Sequence, residues 1–212
     1  QLHDKIVNFN LPTFISTGMS SEEEISKTLN FYKKKNHNKI ILLHCNSLYP
    51  PKNHEINLRN IKFFKDKFKV ITGFSDHTID NYNAFASVVL GSKVLEKHIT
   101  LNKKFKGPDH PFAIEPNEMK ELIYGIRKIE ESLGSYYRKL SRSEKSNRKM
   151  IRRSIVSKVL IKKNQIINES CIKYARPGTS IPTSDYKKVI GKVAKIDIKP
   201  ETLIKFSMIK KD

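Results

Sequence analysis

Cysteines and long apolar runs are scarce in this 212-residue chain, and each shortage excludes a class of protein. The two cysteines, Cys45 and Cys171, lie far apart in unlike surroundings, so they form neither a disulfide framework nor a metal-binding pair. Such cysteine usage is typical of a reducing cytoplasm. No apolar run approaches the about 20 residues of a membrane span. The first residues lack the pattern of a signal peptide and an initiator methionine, so we expect a processed chain or part of a longer one.

Acidic residues are also in short supply, with 21 Asp and Glu against 41 Lys and Arg, which gives a formal net charge of +20. Such an excess suggests nucleic-acid binding. We discount that interpretation because the lysines are spread along the chain and the composition favours Lys, Asn and Ile together. The sequence has no helix-turn-helix, zinc-finger or aromatic RNA-binding motif. A positive field would still attract anionic metabolites such as phosphates and carboxylates.

Apolar segments alternate with amphipathic segments through the first 140 residues. The predicted strands cover residues 11–15, 40–43, 70–74 and 93–96, and helices are predicted around 21–32, 58–67, 82–90 and 116–133. The strand at 40–43 is apolar throughout, as parallel strands buried on both faces are. This order predicts an α/β fold, either half of an eight-fold α/β barrel or one sheet of an open doubly wound fold.

The last third of the chain has a different character. Residues 141–152 contain little that could pack into a core, and we interpret them as a linker between domain 1–140 and domain 153–212. The second domain has short β-branched segments broken by turns, which predicts a small, mostly β structure.

Polar clusters follow the third and fourth predicted strands, and each contains one histidine. His77 comes after the strand at 70–74, and Glu96 and His98 come at the end of the next one. The interval between the histidines holds one helix and one return strand, so we expect them at neighbouring strand ends, where active sites of parallel α/β sheets lie. Two imidazoles placed in this way can share a metal ion.

Eight short motifs, taken together, resemble the N-acetylneuraminate (sialic acid) synthase family, which includes legionaminic and pseudaminic acid synthases. Any one of them would be weak evidence, but they occur in the family's order. They are Ser16-Thr17-Gly18-Met19, the run His44 to Pro50, Asn57-Leu58-Arg59, Ser75-Asp76-His77-Thr78, Glu96-Lys97-His98, Gly107-Pro108-Asp109-His110, Arg152-Arg153-Ser154 and Arg176-Pro177-Gly178.

The resemblance implies a partial (βα)8 TIM barrel, about strands 5–8, followed by an antifreeze-like SAF (β-clip) domain. It also implies that phosphoenolpyruvate condenses with an N-acylated aminosugar aldehyde and phosphate is released. A divalent metal, usually manganese, would bind the aldehyde through His77 and His98, and Glu96 would orient a ligand or take part in proton transfer. We therefore expect a cytoplasmic homodimer whose SAF domain reaches the partner barrel. Its partners would be these small-molecule substrates, and neither nucleic acid nor a membrane.

The resemblance also implies substrate contacts. Ser16, Ser47 and Ser75 match positions that hold phosphoenolpyruvate, while Tyr49 and Asp109 match residues that contact the substrates. Arg176 matches an arginine that reaches from the small domain into the partner subunit's barrel. Taken singly, each could be an ordinary turn, capping or surface residue.

Two departures from the family pattern matter. The pair Asn46-Ser47 replaces the commoner Thr-Ser or Thr-Asn, and Gly178-Thr179-Ser180 lacks the usual Gly-x-Gly. Matches to the first half of the family's barrel are absent, so we predict a half-barrel with two open sheet edges and little synthase activity for these residues alone.

Two other classes stay open on the sequence. One is a metal-dependent aldolase or hydrolase on an α/β barrel, for which Lys97 would be the only candidate Schiff-base lysine. Strand alternation predicts that Lys97 points away from His98. The other is a basic nucleic-acid-binding protein, whose affinity would fall steeply with salt.

Overall fold

The computed structural model describes residues 1–210 and divides into two units, Gln1–Ser135 and Tyr136–Asp212. The helices and strands of the first unit are α1 (Leu2–Phe9), β1 (Thr13–Ser16), α2 (Glu22–Lys34), β2 (Ile40–Cys45), α3 (Arg59–Phe68), β3 (Ile71–Asp76), α4 (Tyr82–Val89), β4 (Val94–Lys97) and α5 (Pro116–Leu133). Those of the second unit are α6 (Arg142–Ile151), β5 (Ser154–Ser157) and β6 (Ile172–Ala175). All four strands predicted for the first unit are therefore present.

The four strands of the first unit form one parallel sheet in the order β1-β2-β3-β4. Strands that follow one another along the chain are neighbours in space, as the predicted strand–helix alternation requires. β1 and β4 are the edges of this sheet, and an isolated parallel bridge between Ile99 and Ile114 continues the β4 edge. The fold is an α/β half-barrel.

Helices cover one face of the sheet. On that face Leu42 packs with Ile25 of α2 and Phe64 of α3. Phe74 packs in the same way with Ile56 and with Ile61 of α3. These side chains are buried, and their removal from water is the main favourable contribution to the stability of the layer.

The opposite face, here called the open face, carries the polar residues. Cys45, Ser75 and Glu96 lie side by side in the strand register, and strand alternation turns them away from the helix-covered face. Phe14 and Ile71, nearer the other end of the strands, project from the open face too, and each is 54% exposed. Apolar side chains exposed on such a face are expected where only half of a barrel interior is present.

Gly73 allows three strands to approach closely on the open face. A Cβ atom at this position would lie 2.4 Å from Cδ2 of Leu43 and 2.8 Å from the carbonyl oxygen of Val94. A side chain is therefore excluded at this position, two residues before Ser75 on the same face of the strand. The neighbouring strands keep the register that aligns their polar ends.

The second unit is mostly short β structure, as predicted. β5 and β6 pair antiparallel, and isolated bridges such as Ile161–Ile198 and Ile166–Val193 connect the loops. Its core is rich in isoleucine and includes Ile155, Ile161, Ile167, Ile172, Ile181, Ile198, Ile204 and Ile209.

The segment interpreted as a linker contains helix α6. Ser141 caps the helix by accepting a hydrogen bond from the backbone N–H of Glu144, whose carboxylate accepts one from the N–H of Ser141. No residue of α6 is buried, so local capping rather than core packing accounts for the helix.

Basic residues occur in both units, but acidic residues are concentrated in the first. Tyr136–Asp212 holds 21 of the 41 Lys and Arg but only 6 of the 21 Asp and Glu. Most of the net positive charge thus belongs to the second unit.

None of the helices within residues 1–210 combines the length and apolar character needed to cross a bilayer.

Candidate active site

His77 lies in the turn directly after β3, with 7% of its surface exposed. Its Nδ1 atom is 2.7 Å from the carbonyl oxygen of Asn46. A carbonyl oxygen only accepts, so Nδ1 carries a proton, and in the neutral imidazole the lone pair is therefore on Nε2. An imidazole oriented by a main-chain carbonyl in this way is prepared to coordinate a cation through its other nitrogen.

His98 follows β4, and its main chain is fixed on one side. The backbone N–H of Ile114 donates a 2.8 Å hydrogen bond to the carbonyl oxygen of His98. The imidazole Nδ1 lies 3.8 Å from a carboxylate oxygen of Asp109, and the ring packs edge-on against Phe112 with centroids 5.1 Å apart. Asp109 is therefore beside His98.

The two imidazoles converge. Their ring centroids are 5.2 Å apart, and Tyr49 lies against both rings, 4.2 Å from His77 and 5.8 Å from His98. A cavity of about 220 Å³ opens between them, lined by Ser75, His77, Glu96, Lys97 and His98. The predicted placement of the histidines at neighbouring strand ends is confirmed.

The donor set fits a divalent cation held by two imidazoles. Within residues 1–210, no group of three or more His, Cys, Asp and Glu side chains is arranged to enclose a metal. An ion bound by His77 and His98 would therefore take its remaining ligands from water and substrate oxygens, as ions in catalytic sites do. The observation that supports this fit is the contact of His77 Nδ1 with the carbonyl oxygen of Asn46, which leaves Nε2 as the nitrogen for a cation.

Ser75 and Glu96 form a hydrogen-bonded pair at the edge of the cavity. The hydroxyl of Ser75 donates a 2.6 Å hydrogen bond to Oε1 of Glu96, and its oxygen is 3.5 Å from Nε2 of His77. A serine hydroxyl has one proton to donate, so in this arrangement Ser75 supports Glu96. It can donate to a bound phosphate or carboxylate only after that bond is exchanged.

Cys45 belongs to the same cluster, although the sequence analysis gave it no role. Burial raises the pKa of the Cys45 thiol, and the negative charge of Glu96 raises it further. Two groups act in the opposite direction: the Ser75 hydroxyl, when it turns from Glu96 to the thiolate, and the backbone of Gly18. The sequence shows only that Cys45 stands in the polar run at the end of the second strand; its place beside Ser75 depends on the register of β2 and β3.

Ser16 and Ser47 lie at the ends of the other two strands. Ser16 is the last residue of β1 and is exposed, while Ser47 follows β2 and is half-buried. The Ser47 hydroxyl sits against Gly18, where a Cβ atom would lie only 2.2 Å from that oxygen. The three predicted serines therefore follow three consecutive strands, and their roles in binding stay predictions.

Lys97 does not face the cavity with its amine. Its Nζ lies 2.8 Å from Oδ2 of Asp76 and 2.7 Å from the carbonyl oxygen of Thr78, and only 2% of the side chain is exposed. An ammonium held in a buried ion pair is not available to condense with a carbonyl substrate. The rival interpretation as a Schiff-base aldolase therefore loses its candidate lysine.

Arg176, in the second unit, follows β6 and is exposed. Its Nε donates a 2.9 Å hydrogen bond to the carbonyl oxygen of Ile151. This bond ties the arginine to the end of α6 and leaves its terminal guanidinium nitrogens at the surface of the unit.

A larger cavity of about 560 Å³ lies beside α2 and α3 and contains none of the motif residues. It is lined partly by Tyr32, Lys33, His37, Phe68 and Lys69. Size alone would select this cavity, but the chemistry-bearing side chains converge at the smaller one.

The fold and the site together define a class: an α/β half-barrel with a polar, two-histidine site at the carboxyl ends of its strands. The family assignment agrees with it. The model of the NeuB family matches residues 1–138, and that of the SAF domain matches residues 152–210. The chain belongs to the NeuB family, which confirms the resemblance found in the motifs.

Curated relatives and solved structures extend this assignment. The chain is 39% identical over 203 residues to N,N'-diacetyllegionaminic acid synthase of Campylobacter jejuni, covering 95% of this chain and 61% of that protein. It is 32% identical to human N-acetylneuraminate-9-phosphate synthase, covering 95% of this chain and 56% of the relative. The spore coat polysaccharide biosynthesis protein spsE of Bacillus subtilis has a TM-score of 0.60 at 29% identity, covering 100% of this chain and 64% of that structure. The chain thus spans about three fifths of the length of these proteins.

Proposed function

We propose that this chain is the C-terminal part of a nonulosonic acid synthase and supplies about strands 5–8 of its barrel together with the SAF domain. The enzyme would condense phosphoenolpyruvate with an N-acylated aminosugar aldehyde resembling N-acetylmannosamine. One observation carries the proposal: in a chain of the NeuB family, His77 and His98 converge with Tyr49 on a polar cavity at the strand ends. The names of the relatives, among them legionaminic, pseudaminic and neuraminic acid synthases, support the substrate class.

The reaction assigns tasks to the site. C3 of phosphoenolpyruvate attacks the aldehyde carbon and forms the new C–C bond, and the aldehyde oxygen takes up a proton to become a hydroxyl group. Water adds to C2, and phosphate leaves from C2 to give a 2-keto acid. A divalent cation, proposed to be Mn²⁺ held by His77 and His98, supplies Lewis acidity to the aldehyde oxygen when bound.

The protein's own groups would bind and orient the reactants. Ser16, Ser47 and Ser75 end three adjacent strands, where their hydroxyls can reach the phosphate or carboxylate of phosphoenolpyruvate. Tyr49 and Asp109 flank the imidazoles and would contact the sugar. Glu96, oriented by Ser75, is placed to hold or accept a proton during the addition of water.

The test uses the product of the whole reading frame that encodes this chain, incubated with phosphoenolpyruvate, an N-acylmannosamine and Mn²⁺. We expect phosphate release that depends on the sugar. We also expect a product whose mass equals that of the sugar plus pyruvic acid. Phosphate release without the sugar, or no product with any N-acylated aminosugar, would contradict the proposal. The 212 residues by themselves should show little turnover.

We also propose that the enzyme is a cytoplasmic homodimer in which Arg176 acts on the site of the partner. Mixing distinguishes this arrangement from one within a single subunit. If Arg176 acts across the dimer, inactive Arg176→Ala and His77→Ala homodimers that exchange subunits should regain activity, because one site then has both residues. If each site uses its own Arg176, mixing restores nothing. Size-exclusion chromatography of each variant checks that dimers form.

A further inference from the structure

Asp76 and Lys97, the residues directly before the two histidines, form an ion pair on the helix-covered side of the sheet. They are direct partners in the β3–β4 register, and Nζ of Lys97 is 2.8 Å from Oδ2 of Asp76. The two side chains are 0% and 2% exposed. Side chains alternate along a strand, so this pair lies on the side of the sheet opposite to Ser75 and Glu96, which line the cavity together with His77 and His98.

The pair also holds the turn that carries His77. Oδ1 of Asp76 accepts hydrogen bonds from the backbone N–H and the hydroxyl of Thr78, at 2.9 and 2.7 Å. Nζ of Lys97 donates to the carbonyl oxygens of Thr78, at 2.7 Å, and of Asp80, at 3.4 Å. The turn at residues 76–80 is thereby bonded to the last residue of β4.

We propose that Asp76 and Lys97 are positioning residues that fix the separation of the His77 and His98 imidazoles and so set the affinity of the site for a divalent cation. One peptide bond joins each member of the pair to a histidine, so displacement of either member displaces a ring. Apolar residues of similar volume often stabilise a fold as well as a buried ion pair does. Directional bonds, in contrast, specify where the turn lies. The inference rests on the proposed function only in taking His77 and His98 as the ligands.

The test compares four variants of the product of the whole reading frame: Asp76→Asn, Lys97→Met, the conservative Lys97→Arg and the control Lys103→Met. Lys103 forms the half-buried ion pair with Glu118 in the same unit, at 2.6 Å, and takes no part in the site. Three quantities are measured on each protein. They are the Mn²⁺ dissociation constant from the EPR signal of free Mn²⁺, the ¹⁵N resonances of the imidazoles without metal, and the melting temperature.

We expect Asp76→Asn and Lys97→Met to weaken Mn²⁺ binding by about tenfold or more, the range seen when residues that orient metal ligands are replaced. The imidazole resonances of His77 should shift in the metal-free protein as well. Lys97→Arg should keep more of the Mn²⁺ affinity than Lys97→Met. Lys103→Met should match the parent in Mn²⁺ affinity and in the imidazole resonances.

A lower melting temperature with parental Mn²⁺ affinity and parental imidazole resonances would show that the pair only stabilises the fold, and would overturn the inference. If the parent itself binds no Mn²⁺, the proposed metal site fails, and the imidazole resonances alone decide the positioning role. If Lys97→Met does not fold, Asp76→Asn and Lys97→Arg are judged by the same measurements.

Discussion

The hydroxyl of Ser75 donates its proton to Glu96 over 2.6 Å, so the serine that was expected to bind phosphoenolpyruvate is already engaged with a carboxylate. Cys45 shares this environment, since Glu96 raises the pKa of its thiol and Ser75 lowers it. The thiol is thus an internal probe of the pair, independent of catalysis.

Substitution of the two partners should move the pKa of Cys45 in opposite directions. Glu96→Gln removes a negative charge and frees the Ser75 hydroxyl to donate to the thiolate, so the pKa should fall. Ser75→Ala removes the donor, so the pKa should rise further above that of an ordinary thiol. The measurement is the midpoint of the rate–pH profile for alkylation of Cys45 by iodoacetamide, followed by peptide mass spectrometry.

The midpoint of the profile is used because a change in the access of iodoacetamide to Cys45 alters the rate at every pH but does not move the midpoint. The buried Cys171 supplies a reference peptide in the same digest. Shifts of the same sign in both variants would contradict the arrangement of Cys45, Ser75 and Glu96 described here.

Replacement of either imidazole should abolish tight cation binding. His77→Gln and His98→Gln are each expected to weaken Mn²⁺ affinity at least about tenfold, because no set of three or more ligands within residues 1–210 can compensate. Isothermal titration of the metal-free proteins with Mn²⁺ measures the change. His54→Gln, at an exposed position in the loop after β2, is the control, and equal losses in all three variants would point to a non-specific effect.

The positions of the histidines were predictable because the rule that places them is local. The run at 40–43 is apolar enough to identify a buried parallel strand, and polar residues after each such strand meet at one edge of the sheet. His77 and His98 therefore required only the strand order.

Helix α6 was missed although Ser141 and Glu144 have the spacing of a capping box, because the absence of apolar residues was given more weight.

Other features could not be found in this way. The tautomer of His77 depends on the carbonyl oxygen of Asn46, which every residue type possesses and no side chain reveals. Alternation indicated that Lys97 points away from His98, but its pairing with Asp76 depends on the register of β3 and β4. Such contacts are set by the three-dimensional packing of strands rather than by local sequence.

His44 should make the stability of the first unit depend on pH. It is 4% exposed and stacks on Phe74, and burial lowers its pKa, a shift that the hydrogen bond to the carbonyl oxygen of Ile56 partly opposes. The unfolded chain therefore binds a proton more readily than the folded one. The pKa of His44 in the unfolded chain is about 6.5. Above that pH its burial costs no proton, and as the pH falls below it the free energy of unfolding decreases.

His44→Phe removes the titration and should flatten this loss, even though the unpaired carbonyl lowers stability at every pH. Free energies of unfolding in urea between about pH 5 and 7.5 give the slope that linkage predicts. The control His54→Phe, at an exposed position, should keep the parental slope. A parental slope in His44→Phe would show that another group is responsible.

The excess positive charge should favour one of the two proposed substrates over the other. Phosphoenolpyruvate carries a phosphate and a carboxylate, whereas the N-acylated sugar aldehyde is neutral, so the field of a chain with net charge +20 acts on the first alone. Raising the ionic strength from about 0.05 to 0.3 M shortens the Debye length to a few ångströms and screens that field. We expect the KM for phosphoenolpyruvate to rise while the KM for the sugar stays nearly constant. Steady-state kinetics of the product of the whole reading frame, at each salt concentration and with saturating Mn²⁺, give the two KM values separately. If the KM values rise equally, salt acts on the protein rather than on the approach of the anion.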